Sequence, residues 1–160
     1  MTLPVNSPLI VSPRIEGTPS GSGMPKVTLK QGDGGGAYTS VSATFADVDS
    51  TNLAYSDVIP AGWKLLVIAK CNGFSSTTSS NLTVQLFDTG TGTLLDRQTL
   101  TTAVAASTTL GYSLEGVIEG DGGTHSIVLQ FATGVAPNQV NITNASGDTP
   151  KMLCILMPIR

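Results

Sequence analysis

Leu82-Thr83-Val84-Gln85-Leu86-Phe87, followed at once by Asp88-Thr89-Gly90-Thr91-Gly92, is the stretch whose reading decides the fold. Leu82, Val84 and Leu86 are two residues apart and share one face of an extended strand. The Asp/Gly-rich segment after them supplies residues that tolerate positive φ, as a hairpin turn requires. The pattern recurs downstream. Ile127, Leu129 and Phe131 share a face in Ser126-Ile127-Val128-Leu129-Gln130-Phe131, and Glu119-Gly120-Asp121-Gly122-Gly123 is the turn before that run. Read outward from these anchors, the chain predicts strands over 38–48, 52–58, 63–73, 81–88, 93–101, 107–118, 124–133, 138–143 and 151–158. Short β-branched and aliphatic runs spaced by Gly, Asn, Asp and Pro clusters are the all-β pattern, and no segment carries a helical period with caps. About eight main strands in a domain over 37–160 predict a single jelly-roll β-sandwich.

Upstream of residue 37 the composition changes. Pro4, Pro8, Pro13, Pro19 and Pro25 each deny a helix and remove a ladder donor, and Gly32-Asp33-Gly34-Gly35-Gly36 closes the segment. Residues 1–36 therefore read as an extended arm, with the glycine run as a hinge. Leu3, Val5, Leu9, Ile10, Val11, Ile15, Val27 and Leu29 give the arm apolar contacts to lay on a partner, and these are the candidate partner-binding residues.

Two predicted strands are apolar on both faces, Leu65-Leu66-Val67-Ile68-Ala69 and Met152 to Met157. A strand needs that composition when one side meets the core and the other meets another subunit. Leu66, Ile68, Leu153, Ile155 and Met157 are accordingly the candidate oligomer-interface residues. Cys71 and Cys154 sit in these same apolar runs and read as buried free thiols, with a disulfide between the two strands as the alternative. Two cysteines cannot by themselves make a zinc site.

Charge excludes other classes. Only 12% of the 160 residues are charged and the net charge is -3, so neutral polar groups carry much of the solubility. The cations are dispersed, which argues against nucleic-acid binding. The apolar runs are too short to span a bilayer, and the N-terminus lacks the basic and apolar regions of a secretory signal. Neither a nucleic-acid nor a membrane partner is expected.

Candidate chemistry is thin. Asp88-Thr89-Gly90 matches the active-site tripeptide of aspartic proteases, but a single copy where a turn is needed anyway reads as the turn. The glycine run lacks the Lys-Ser/Thr ending of a phosphate loop. Asp47 and Asp49, with Asn52, could offer oxygen ligands to calcium, against a default of turn capping. His125, the one histidine, reads as a partly exposed strand residue that near an interface would give mild pH sensitivity. Trp63, after Pro60-Ala61-Gly62, opens a core strand. Asn81, Asn141 and Asn144 begin glycosylation sequons. No catalytic residue, metal ligand set or cofactor site emerges, so the expectation is a protein that is not an enzyme and carries no cofactor.

The run Tyr38-Thr39-Ser40-Val41-Ser42-Ala43-Thr44-Phe45-Ala46-Asp47-Val48-Asp49-Ser50-Thr51-Asn52-Leu53, with the Pro60-Ala61-Gly62 turn, Leu65-Leu66-Val67-Ile68 and the closing strand Leu153 to Ile159, resembles phage and prophage virion structural proteins with a tumour-necrosis-factor-like jelly roll. The resemblance covers about 38–160 and not the arm. It implies a homotrimer in a virion and no family active site. Joined to the arm, it sets the expectation of a capsid decoration (cement) protein on the capsid surface, bound to the major capsid protein and stabilising the head. A receptor-binding or fibre-tip adhesion module and a single-jelly-roll capsid subunit are the alternatives.

Overall fold

Alternating inward and outward side chains build two antiparallel sheets in a computed structural model that describes residues 24–76, 80–102, 109–145 and 147–159. The first sheet contains β1 (Lys26–Gln31), β2 (Tyr38–Ser40), β5 (Trp63–Ser75), β8 (Leu110–Glu119), β10 (Val140–Ile142) and β11 (Lys151–Pro158). The second contains β3 (Ala46–Asp47), β4 (Ala54–Val58), β6 (Ser80–Asp88), β7 (Thr93–Thr102) and β9 (Thr124–Thr133). No helix occurs among the described residues, and the architecture is an all-β sandwich consistent with a jelly roll.

The predicted alternation sets the inner faces. Leu82, Val84 and Leu86 of β6 meet Ile127, Leu129 and Phe131 of β9 on one side of the core. Leu65, Val67 and Ala69 of β5, Tyr112, Leu114 and Ile118 of β8, and Met152, Cys154 and Leu156 of β11 supply the other. Trp63 is half-buried and packs against this cluster, at the start of β5. Two turn glycines adopt the left-handed backbone that the hairpins require, Gly92 at φ +73° and Gly122 at φ +86°.

β5 is the spine of the first sheet. Its Trp63–Lys70 part pairs with β11, Lys64–Gly73 with β8, and Gly73–Ser75 with β10. Gly73 lies where β6 and β10 crowd this strand, and a Cβ there would run into Leu82 and stand 2.9 Å from the Asn141 carbonyl. β7 and β8 join the sheets along one edge by side chain. Gln98 Oε1 accepts from the Ser113 N–H (3.3 Å) and an Asp96 carboxylate oxygen from the Glu115 N–H (3.0 Å), so carboxylate and amide groups do for β8 what a further strand would.

Three placements differ from the sequence reading. Lys26–Gln31, read as arm, is a paired edge strand: β1 runs antiparallel to β11 with Val27 opposite Ile155 and Leu29 opposite Leu153. The span 38–48 is not one strand but β2 and β3, which belong to different sheets and are joined by 41–45. Finally, 49–53 is a turn, held by the Leu53 N–H on the Asp49 carbonyl (3.0 Å), so the next strand begins at Ala54. Leu3, Val5, Leu9, Ile10, Val11 and Ile15 lie outside the described residues.

Candidate functional site: the outer face of the first sheet

β1, β11, β5 and β8 lie side by side, and antiparallel register sorts their outward side chains into rows. Val27, Ile155, Leu66 and Val117 form one row, and Leu29, Leu153, Ile68 and Glu115 the next. Met157 continues the apolar band toward Lys64 and Glu119, while Gln31, Lys151, Lys70 and Ser113 close its other end. Val27, Leu29 and Val117 are 62%, 61% and 56% exposed, and the five between them are half-buried by their neighbours. An apolar band of eight side chains across four strands, rimmed by charge, is the kind of contiguous patch that marks a protein contact surface.

Leu66, Ile68, Leu153, Ile155 and Met157, which the sequence placed on one outer face, are thus adjacent in space. Val27 and Leu29 join them because β1 is part of the sheet. Val117 escaped the sequence reading: on β8 the buried residues are Tyr112, Leu114, Gly116 and Ile118, and a single apolar side chain out of phase with them carries no pattern.

At one end of the second sheet the turns gather around His125. The imidazole is 5% exposed, not the partly exposed strand residue expected, because it lies between two carboxylates. Nδ1 is 2.7 Å from the Asp88 carboxylate and Nε2 is 3.2 Å from Asp121. Asp88 also accepts from the Gly90 N–H, the Thr91 hydroxyl and the Ser126 N–H. Burial opposes the Asp88 charge, but those donors outweigh it and hold the carboxyl below its ordinary range. Burial likewise opposes charging of His125, yet its bonds to Asp88 and Asp121 prevail and its pKa is raised. Asp88-Thr89-Gly90 is a turn whose carboxylate organises the neighbouring turn, and with both ring nitrogens on carboxylates His125 has no nucleophile to activate.

The other acidic candidates are occupied locally. Asp49 caps the 49–53 turn through the Thr51 and Asn52 N–H groups and accepts from the Tyr38 hydroxyl at 2.7 Å. Asp47 instead accepts from Gln130, which lies in a cross-strand ladder with Gln85 and Arg97. No group of three or more metal-ligating side chains occurs among the described residues. The 32–36 glycine segment, read as a hinge, is stitched to the domain: Gly34 N–H donates to Asn144 Oδ1 (3.1 Å), Gly36 N–H to the Asn144 carbonyl (3.0 Å), and Asn144 Nδ2 to Asp33 (2.6 Å). Asn141 and Asn144 are buried, so two of the three sequon asparagines face inward.

Cys71 and Cys154 are buried free thiols, each pushed up to about 12 by burial. Cys154 is opposite Val67, four residues along β5 from Cys71. At roughly 3.3 Å per residue the offset is about 13 Å, beyond the reach of a disulfide.

No protein-family model and no curated protein matches the chain. Solved structures do. A mutant VP2 protein of infectious bursal disease virus, in derived T=1 particles, is similar with a TM-score of 0.53 and 16% identity, over 98% of this chain and 36% of that one. The VP2 subviral particle of the same virus matches with a TM-score of 0.53 and 16% identity, over 98% of this chain and 38% of its own. A looser likeness, with a TM-score of 0.45 and 10% identity, is to the Eiger TNF of S. frugiperda, over 80% of this chain and 90% of that one. The chain spans little more than a third of the VP2 proteins it matches, and at this identity the shared feature is the fold: a β-sandwich of the kind found in viral capsid proteins.

Proposed function

We propose that this chain is a non-enzymatic structural protein of a virus particle: a homotrimeric decoration (cement) protein of a phage head, which self-associates through the first sheet and grips the major capsid protein with its N-terminal segment. The observation that carries this reading is the apolar band of Val27, Leu29, Leu66, Ile68, Val117, Leu153, Ile155 and Met157. Water contact with such a band is unfavourable by about 25 cal/mol per Å² of apolar surface, so a second copy laid against it is favoured. The low charge density lets copies crowd with little repulsion. The fold shared with VP2 supports a place in a virion, and the double engagement of His125 supports a role without catalysis.

The test uses particles assembled without this protein. Because β1 starts at Lys26, removal of residues 1–23 leaves the sheet intact. The truncated protein is expected to remain a trimer by light scattering yet to bind particles poorly, whereas the full chain binds and raises their heat tolerance. Unchanged binding after truncation overturns the strap. The likeness to VP2 also favours a second reading, a shell subunit, which requires the chain to close into particles unaided; a fibre-tip adhesin requires isolated trimers to adhere to host cells.

A further inference from the structure

Beyond the apolar band the outer face of the first sheet becomes concave and polar. A cleft of about 500 Å³ opens there, bordered by Lys70 and Asn72 of β5, Ser113 of β8, Gln98 of β7, Thr149 in the segment before β11, and Lys151 at the start of β11. Lys70 and Lys151 are direct cross-strand partners, and both are exposed. Like charges set opposite each other on one sheet face repel, and an anion lying over this pair would relieve that repulsion. Neither lysine makes an ion pair among the described residues, whose salt bridges join Lys26 to Asp57 and His125 to two aspartates. The one carboxylate bordering the cleft, Asp148, accepts from Asn72 Nδ2 at 2.7 Å. Two ammoniums against one carboxylate leave the cleft cationic.

The neutral groups narrow the ligand. Gln98 Oε1 is taken by the Ser113 N–H, which leaves the Gln98 amide N–H₂ for a ligand, and the hydroxyls of Ser113 and Thr149 both donate and accept. Tyr112, the one aromatic residue at the cleft, is buried with its hydroxyl on the Leu82 carbonyl, so no ring is offered for stacking a base. An oxyanion held by two lysines and ringed by hydroxyl and amide groups is the recognition chemistry of an acidic sugar. We propose that this cleft binds an acidic saccharide, its carboxylate or sulfate over Lys70 and Lys151 and its hydroxyls on Gln98, Ser113 and Thr149. The inference is independent of the decoration role, since it rests on the cleft and not on the apolar band.

The test is a titration of the full-length protein at low salt, followed by amide shifts in NMR, with N-acetylneuraminic acid, a sulfated heparin disaccharide, a neutral disaccharide and inorganic sulfate. Saturable shifts at Lys70, Ser113 and Lys151 with one of the acidic sugars, and none with the neutral one, are expected. The carboxylate and sulfate arms tell which oxyanion is preferred. Loss of one charge-assisted contact in Lys70→Gln or Lys151→Gln should weaken binding roughly tenfold. Lys64→Gln, at the far end of the same face, should leave it unchanged. The proposal is overturned if neither acidic sugar gives saturable shifts, if inorganic sulfate binds as tightly as the sugars, or if Lys64→Gln weakens binding as much as the other two.

Discussion

His125 shows how much one residue's environment matters. Its two carboxylate partners come from different turns, Asp88 37 residues away in sequence and Asp121 only four, and the bonds to both favour the protonated imidazole. Folding raises its pKa above the ordinary 6.5, so its contribution to stability is complete below about 6.5 and is lost as pH rises through the folded-state value. Asp88 works in the opposite sense. Its pKa is lowered from 3.8, so its contribution is complete above about 3.8 and is lost as pH falls. The pair is therefore most stabilising between those two ordinary values. Melting curves taken from about pH 5 to about pH 9 should show the wild-type Tm falling across the upper half of that range, because the chain has no other histidine to titrate there. In His125→Gln the fall should largely vanish, and stability near pH 6 should drop by about 3 kcal/mol with Asp88 left buried without its cation. Parallel curves for the two proteins would mean that His125 is neutral in the fold. Gly120 makes a second prediction at this scale. A Cβ there would run into the Pro60 carbonyl oxygen, which is backbone and cannot rotate away, so Gly120→Ala should cost about 2 kcal/mol or more in urea denaturation.

Among the elements, β8 shows how a strand edge is protected by side chains instead of by another strand. The Asp96 and Gln98 side chains of β7 accept from the Glu115 and Ser113 N–H groups. Asp96→Ala and Gln98→Ala should each cost about 1 kcal/mol and speed hydrogen exchange at those two amides, with amides inside β9 unaffected. Strands with a period of two, β6 and β9, were legible because three apolar side chains alternate in each, Leu82, Val84 and Leu86 in one and Ile127, Leu129 and Phe131 in the other. β1 was not, since only Val27 and Leu29 alternate in it and prolines and glycines flank them. The break between β2 and β3 was equally hidden. Local propensity runs unbroken through Tyr38–Val48, and what divides it is the transfer of the chain from one sheet to the other, a decision made by partners more than 80 residues away.

For the whole molecule the contrast is between two faces of the same strands. Leu114→Ala, on the inner face, should cost about 3 kcal/mol because it empties part of a closed core. Leu66→Ser with Ile155→Ser, on the outer face, should change the stability of a single chain by only about 1 kcal/mol. The same double substitution should abolish the rise of Tm with protein concentration that a self-associating protein displays, and leave a monomer in sedimentation. A Tm independent of concentration in the wild type would remove self-association from the account. By itself, the sequence determined the all-β class, the main core strands, the hairpin turns at Asp88–Gly92 and Glu119–Gly123, and the apolar composition of two strands on both faces, because hydrophobic period and turn chemistry are local properties of the chain. Only the tertiary structure decided that Val27, Leu29 and Val117 extend that apolar face, that His125 is buried against the Asp88 carboxylate, and that Lys70 and Lys151 stand side by side at one cleft. Those facts depend on strand register, which is set by pairing between distant segments and leaves no trace in the order of neighbouring residues.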